Sequence, residues 1–249
     1  MYVAVSTDCF PDERMPDVVN SFIDLEYTTV EIALREDGTP LSPSRIDESF
    51  QEACRLAVRS HRLDVCSYDV HIDAQGDGYF EQFESICRMG KATKVVTLTV
   101  PSAELGTPFN EEVERLQRLV DCAEAEGVRV AMKSQIGRLS EDPDTVKVLC
   151  DNVKGLGLTL DPSHYFCGPH SSKKLEHIMP FVFHVHLRDS KQDQLQVRVG
   201  QGEIDYAKVV GQLEAVGYSH GLSVQIAPDS AYEQRGELRK LRLLLETLL

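Results

Sequence analysis

Four side chains able to do chemistry stand at the ends of four consecutive apolar runs: Lys133, Asp161, His186 and Gln225. Each run alternates, and successive side chains of a strand point to opposite faces. In Arg129–Lys133, Val130 and Met132 suit a helix-covered face, which leaves Ala131 and Lys133 on the other. The same parity puts Thr159 and Asp161, His184 and His186, and Ser223 and Gln225 on the inner face. An ammonium, a carboxylate, an imidazole and a carboxamide therefore converge at one end of a sheet. Such a ring is costly to bury unless its members pair with one another, a ligand or water. Charge alone pairs Lys133 with Asp161.

Other candidates surround the ring. Glu31 ends the second run with inward parity and can either contact substrate hydroxyls or pair with a basic neighbour. His71 follows the third run, and His164 lies three residues beyond Asp161. Arg188 and Asp189 directly follow His186; the planar fork of Arg188 suits a phosphate or carboxylate, with an exposed loop salt bridge as the alternative. His184, one layer below the ring, reads as a hydrogen-bonded interior residue. His61, His177 and His220 read as solvated, and Cys9 and Cys167 fall near strand ends. A desolvated Lys133 can in principle form a Schiff base, but a neighbouring carboxylate favours the unreactive ammonium.

The elements that must position these residues run the length of the chain. Strands are expected at Tyr2–Ser6, Thr28–Ile32, Leu63–Ser67, Lys94–Thr99, Arg129–Lys133, Leu158–Asp161, Val182–Leu187 and Leu222–Gln225. Amphipathic helical stretches fall near 16–25, 46–61, 78–90, 110–126, 142–152, 171–179, 204–216 and 231–248. Gly127, Gly155 and Gly217 follow three of them, where helix-terminating glycines belong. Eight strand–helix units in strict alternation predict a parallel sheet closed into a (β/α)₈ TIM barrel. An open doubly wound sheet is the alternative; Val-Ser-Thr-Asp-Cys-Phe-Pro after the first strand lacks the glycine-rich phosphate loop it needs.

At 249 residues and 42% hydrophobic content, one domain spanning residues 1–249 can bury a sizeable core. The net charge of −14, without a Lys/Arg cluster, argues against nucleic acid and anionic membranes as partners. The first residues show no basic leader, and no apolar run is long enough to span a bilayer. Seven cysteines without a CxxC pair fit a reducing cytoplasm.

Three stretches carry a family resemblance: Gly157-Leu-Thr-Leu-Asp-Pro-Ser-His164, read from Gly155 onward, Phe183-His-Val-His-Leu-Arg-Asp189, and Gly200-Gln-Gly-Glu-Ile-Asp-Tyr206 leading to Gly217–Gln225. In this order they resemble the xylose-isomerase-like barrels, the sugar and sugar-phosphate isomerases and epimerases. The resemblance is clearest over about residues 120–225. It implies a divalent metal held by a glutamate, an aspartate, a histidine and a glutamate from strands five to eight, the glutamates doubling as acid and base. Asp161 and His186 fall on two of these metal positions, with His164 nearby. Lys133 and Gln225 stand where the two glutamates belong.

The expected ring charge is thus about zero, against about −3 were Lys133 and Gln225 both glutamate. A protonated lysine repels a divalent cation placed beside it, so manganese, zinc or magnesium is expected only if Lys133 is neutral, modified or displaced. Two functions follow. One is isomerisation or epimerisation of a small sugar or sugar phosphate, with Lys133 and His164 as the titratable groups and Glu31, His71, Arg188 and Gln225 contacting substrate. The other is a non-catalytic, metal-free barrel that binds a carbohydrate-like ligand; a homo-oligomer is compatible with either.

Overall fold

Strands rich in Val, Ile and Leu, each followed by a helix, can pair in parallel only with their helices packed outside the sheet. A computed structural model describes residues 1–58 and 63–249 and has that arrangement. The strands are β1 (Tyr2–Ser6), β2 (Thr29–Leu34), β3 (Asp64–Val70), β4 (Thr97–Pro101), β5 (Arg129–Lys133), β6 (Gly157–Leu160), β7 (Val182–Leu187) and β8 (Gly221–Val224). Each pairs in parallel with the next, and β8 pairs with β1, so the sheet is a closed barrel. That closure rules out the open doubly wound alternative.

The outward faces make the apolar core. Val30, Ile32, Leu98, Val130, Met132, Leu158, Val185 and Leu222 are buried there against Phe22, Phe83, Leu116, Leu149 and Leu241 from the helices. The inner face is different. Ser6, Glu31, Ser67, Asp69, Thr99, Thr159, His184, His186 and Ser223 are all fully or almost fully buried inside the barrel. Thr99 and Thr159 hydrogen-bond across it at 2.8 Å.

Several expected boundaries move. β2 and β3 run on to Leu34 and Val70, past the expected Ile32 and Ser67. β4 starts only at Thr97, because Lys94 closes the preceding helix with a left-handed φ of 63°. No helix covers 171–179. The helix after β6 is Pro162–Cys167, begun directly on the strand by the Asp161 carboxylate, which accepts from the Ser163 amide, and by Pro162 in the first turn. The second helical stretch is seen as Pro43–Ile46 and Phe50–Val58; its expected end and His61 lie outside the described residues. No helix among the described residues is long and apolar enough to cross a membrane.

The long loop after β7 is organised by Asp189. One carboxylate oxygen accepts from the amides of Gly200 at 2.8 Å and Gly202 at 3.0 Å, the other from Ser190 at 3.1 Å. Gly202 lies so close that a Cβ would collide with the carboxylate. Asp189 is therefore a buried loop anchor rather than half of an exposed loop salt bridge. Asp189→Ala removes a charged acceptor from three amides, an expected loss of about 2–3 kcal/mol, or about 4–10 °C in melting temperature. Hydrogen exchange at Gly200 and Gly202 should accelerate with it; unchanged protection there would show that another contact holds the loop.

Candidate functional site

Lys133, the last residue of β5, extends into the C-terminal end of the barrel with only 10% of its side chain exposed. Its ammonium donates to Asp69 Oδ2 on β3 at 3.0 Å, and not to Asp161 as charge alone suggests. Asp161 is engaged otherwise. Its Oδ2 receives Arg188 Nε at 3.1 Å and a terminal Arg188 nitrogen at 3.0 Å, while Oδ1 caps the helix that begins there. A third pair closes the ring: Arg35 Nε donates to Asp8 Oδ1 at 2.6 Å, and an Arg35 terminal nitrogen binds Asp8 Oδ2.

Gln225 joins the three pairs. Its Nε2 donates to Asp8 Oδ2 at 3.1 Å and to Asp69 Oδ2 at 3.2 Å, using both N–H groups. Its Oε1 accepts from Arg188 at 2.9 Å. One uncharged amide thus gives its donors to two carboxylates and its acceptor to a guanidinium. A glutamate there would turn two of those three contacts into repulsions.

Below this ring sits a second cluster. Glu31, fully buried, has His184 Nε2 at 2.5 Å and His186 Nε2 at 2.9 Å, and accepts from Ser67 Oγ at 2.7 Å. Glu31 is therefore paired with basic neighbours and does not reach the cleft. Burial alone would raise its carboxyl, but His186 and His184 hold it well below the usual carboxylate range. Asp69 is likewise pushed up by burial and pulled well below that range by Lys133 and then His71. Asp161 is held down against burial chiefly by Arg188.

Above the ring opens a cleft of about 280 Å³. Lys133, His164, His71, Arg188 and Gln225 line it, together with Asp8, Arg35 and Gln135. Asp161, His186 and Glu31 lie beneath and are 0% exposed. His164 accepts the Ile136 amide on Nδ1 at 3.2 Å, so its proton sits on Nε2, 3.7 Å from Asp161 Oδ2. His71 Nε2 stands 3.2 Å from Asp69 Oδ1. His184 is the interior hydrogen-bonded residue expected. His177 is not simply solvated, since Nε2 lies 3.2 Å from Asp144, whereas His220 is exposed. Cys9 is buried and pushed up to about 12 by burial, and burial also raises Cys167.

Asp8, Arg35, Asp69 and Gln135 escape the reading by sequence. Asp69 had a signal: extending the third strand by two residues beyond Ser67 puts it inward by parity. Asp8 lies in the single 3-10 turn Thr7–Cys9 just past β1 and Arg35 directly after β2, segments whose mutual approach has no local signature.

The model of the xylose isomerase-like TIM barrel family matches residues 22–246. The chain belongs to that family. An uncharacterized protein of Methanocaldococcus jannaschii is 25% identical over 119 residues, a match that spans 44% of this chain but only 41% of that protein. A D-tagatose 3-epimerase-like protein shares the fold with a TM-score of 0.77 at 15% identity, over 100% of this chain and 98% of that one. An IOLI protein with a bound zinc atom matches with a TM-score of 0.77 at 16% identity, again over 100% and 98%.

The IOLI neighbour holds a zinc atom, and the fit of the present ring to a divalent ion can be judged from its own residues. Asp161 has both oxygens occupied by protein donors, and Gln225 Oε1 accepts from Arg188. His186 Nδ1 is buried without a hydrogen-bond partner among the described residues, so one ligand atom is free. Two fixed cations, Lys133 and Arg188, flank it. Within this ring, one free imidazole nitrogen among occupied oxygens and cations does not fit a hard divalent ion. By contrast, Glu31 with His184 and His186, and Asp8 with Asp69 and His71, each bring three possible ligand atoms within 4.8 Å of one another.

His164 yields a test of this electrostatic arrangement. Burial lowers its pKa to about 4, against about 6.5 for an unfolded histidine. The folded protein then binds fewer protons than the unfolded chain between those values, so stability falls as pH drops through that window. From pH 7 to pH 5 the natural protein should lose about 2 kcal/mol more than His164→Gln does, measured by urea unfolding. Equal losses would mean that His164 titrates as it would in solvent.

Proposed function

We propose that the cleft binds a small, carbohydrate-like ligand of the sugar or sugar-phosphate class, in an isomerase- or epimerase-like protein with a degenerate metal site. One observation carries this reading: donors and acceptors in fixed positions, Lys133, His164, His71, Arg188 and Gln225, surround a small cleft at the strand ends. Polyhydroxylated ligands need such mixed donors and acceptors, and barrels of this architecture place their sites at that end. Lys133 is the group best placed for proton transfer to a ligand, with His164 donating from Nε2 to a carbonyl or hydroxyl oxygen. Glu31 acts from below, by holding His186 and His184 in place.

A specific observation also favours the second reading, binding without turnover. The lone pair of His164 Nδ1 is taken by the Ile136 amide, and each ring carboxylate faces a cation. A general base needs an unoccupied lone pair within hydrogen-bond reach of the substrate proton.

The two are separated by incubating the protein with aldoses, ketoses and their phosphates in D₂O. Isomerisation or epimerisation exchanges a proton on carbon next to the carbonyl, visible by NMR. The expected result is exchange for at least one sugar that Lys133→Met abolishes while calorimetric binding persists. Binding with neither exchange nor a new sugar in the NMR spectrum establishes the non-catalytic reading. Absence of binding across the panel overturns the carbohydrate assignment.

A further inference from the structure

The mouth of this barrel contains one cation whose placement nothing above explains. Arg188 is only 11% exposed, and although it lines the cleft, two of its three guanidinium nitrogens are committed to protein oxygens. It turns inward, with Nε and one terminal nitrogen on Asp161 Oδ2 and a terminal nitrogen on Gln225 Oε1. A guanidinium is planar, permanently charged and weakly hydrated, which suits it to hold two inward-facing oxygens together in a buried place. The same oxygens, with His186 Nδ1, which has no hydrogen-bond partner among the described residues, are the atoms that the family resemblance gives to a divalent ion at this mouth.

We infer that the Arg188 guanidinium is the resident cation of the mouth: it joins Asp161 to Gln225 and, by occupying both oxygens, excludes a divalent metal. Lys133 has a different role, because its ammonium is committed to Asp69 on the far side of Gln225. Arg188 is then a positioning residue for the two oxygens, with Nε and one terminal nitrogen committed to them and the other terminal nitrogen left as its donor to the cleft. The inference holds whichever ligand enters the cleft.

Two accounts of the lost metal site now differ in outcome. If only ring charge mattered, Lys133→Glu with Gln225→Glu would suffice to admit a metal. With Arg188 in place, its guanidinium still fills the space and holds Asp161, so the double variant stays metal-free. The triple variant, Lys133→Glu, Arg188→Ala and Gln225→Glu, opens it.

The test is titration of manganese(II) chloride into chelator-stripped natural, double-variant and triple-variant protein. Calorimetry and the loss of the free-ion manganese resonance report binding, and the rise in melting temperature reports that the folded state is the one bound. Saturable binding by the triple variant alone is the expected result. Equal binding by the double variant, or binding by the natural protein that Arg188→Ala leaves unchanged, would overturn the inference. Should the triple variant fail to fold, Arg188→Ala in the natural background decides: manganese or methylguanidinium raises its melting temperature but not that of the natural protein. A variant unaffected by either would show that Arg188 fills no cation site.

Discussion

Charge inside a barrel cannot be left to water. Asp8, Asp69 and Asp161 stand against Arg35, Lys133 and Arg188, and the Gln225 amide touches all three pairs. The desolvation of each ion is recovered only because every neighbour is matched, and removing one partner of such a pair typically costs about 3–5 kcal/mol. Gln225 can serve at this position because it is neutral and bears both donors and an acceptor. The rest of the mouth depends on that amide: which carboxylate meets Lys133, where Arg188 turns, and which atoms are left to face the cleft.

The layer beneath follows the same rule with different chemistry. Glu31 is matched by two imidazoles and a serine hydroxyl, and His186 thereby has one nitrogen fixed on Glu31 and the other buried without a hydrogen-bond partner among the described residues. The interior of this barrel is thus a column of polar pairs where many such barrels carry layers of branched apolar side chains. Stability has to come from the outer interface between strands and helices, where Val, Ile, Leu and Phe are buried throughout. That division leaves the interior free to be specific. The paired members of such a network rigidify the residues that line a site, while His186 Nδ1 and Ser223 Oγ stand without a hydrogen-bond partner among the described residues.

The reading of the site changes accordingly. Asp161 and His186 are present at the strand ends but buried below the cleft, while Lys133, His164, His71, Arg188 and Gln225 line it. Proximity was foreseeable from parity; pairing was not. Lys133 has two carboxylates within electrostatic reach, Asp69 and Asp161, and contacts the one that Arg188 and the helix cap leave open.

What the sequence determined by itself is the architecture and the inward set. Alternating hydrophobicity fixes which side chains face inside, and eight strand–helix units in succession fix a parallel sheet, because both signals are local and repeated. Lys133, Asp161, His184, His186 and Gln225 were legible on that ground. The weak helical pattern at 171–179 was misleading because Asp161 and Pro162 start a helix earlier, on the strand itself. The tertiary structure decided the partners. Asp69 meets Lys133 across 64 residues, Asp8 meets Gln225 across 217, and Glu31 meets His186 across 155. Such pairings depend on strand ends to within a residue or two and on closure bringing β8 beside β1. Neither leaves a periodic trace in the chain, so charge counting chose the wrong carboxylate for Lys133.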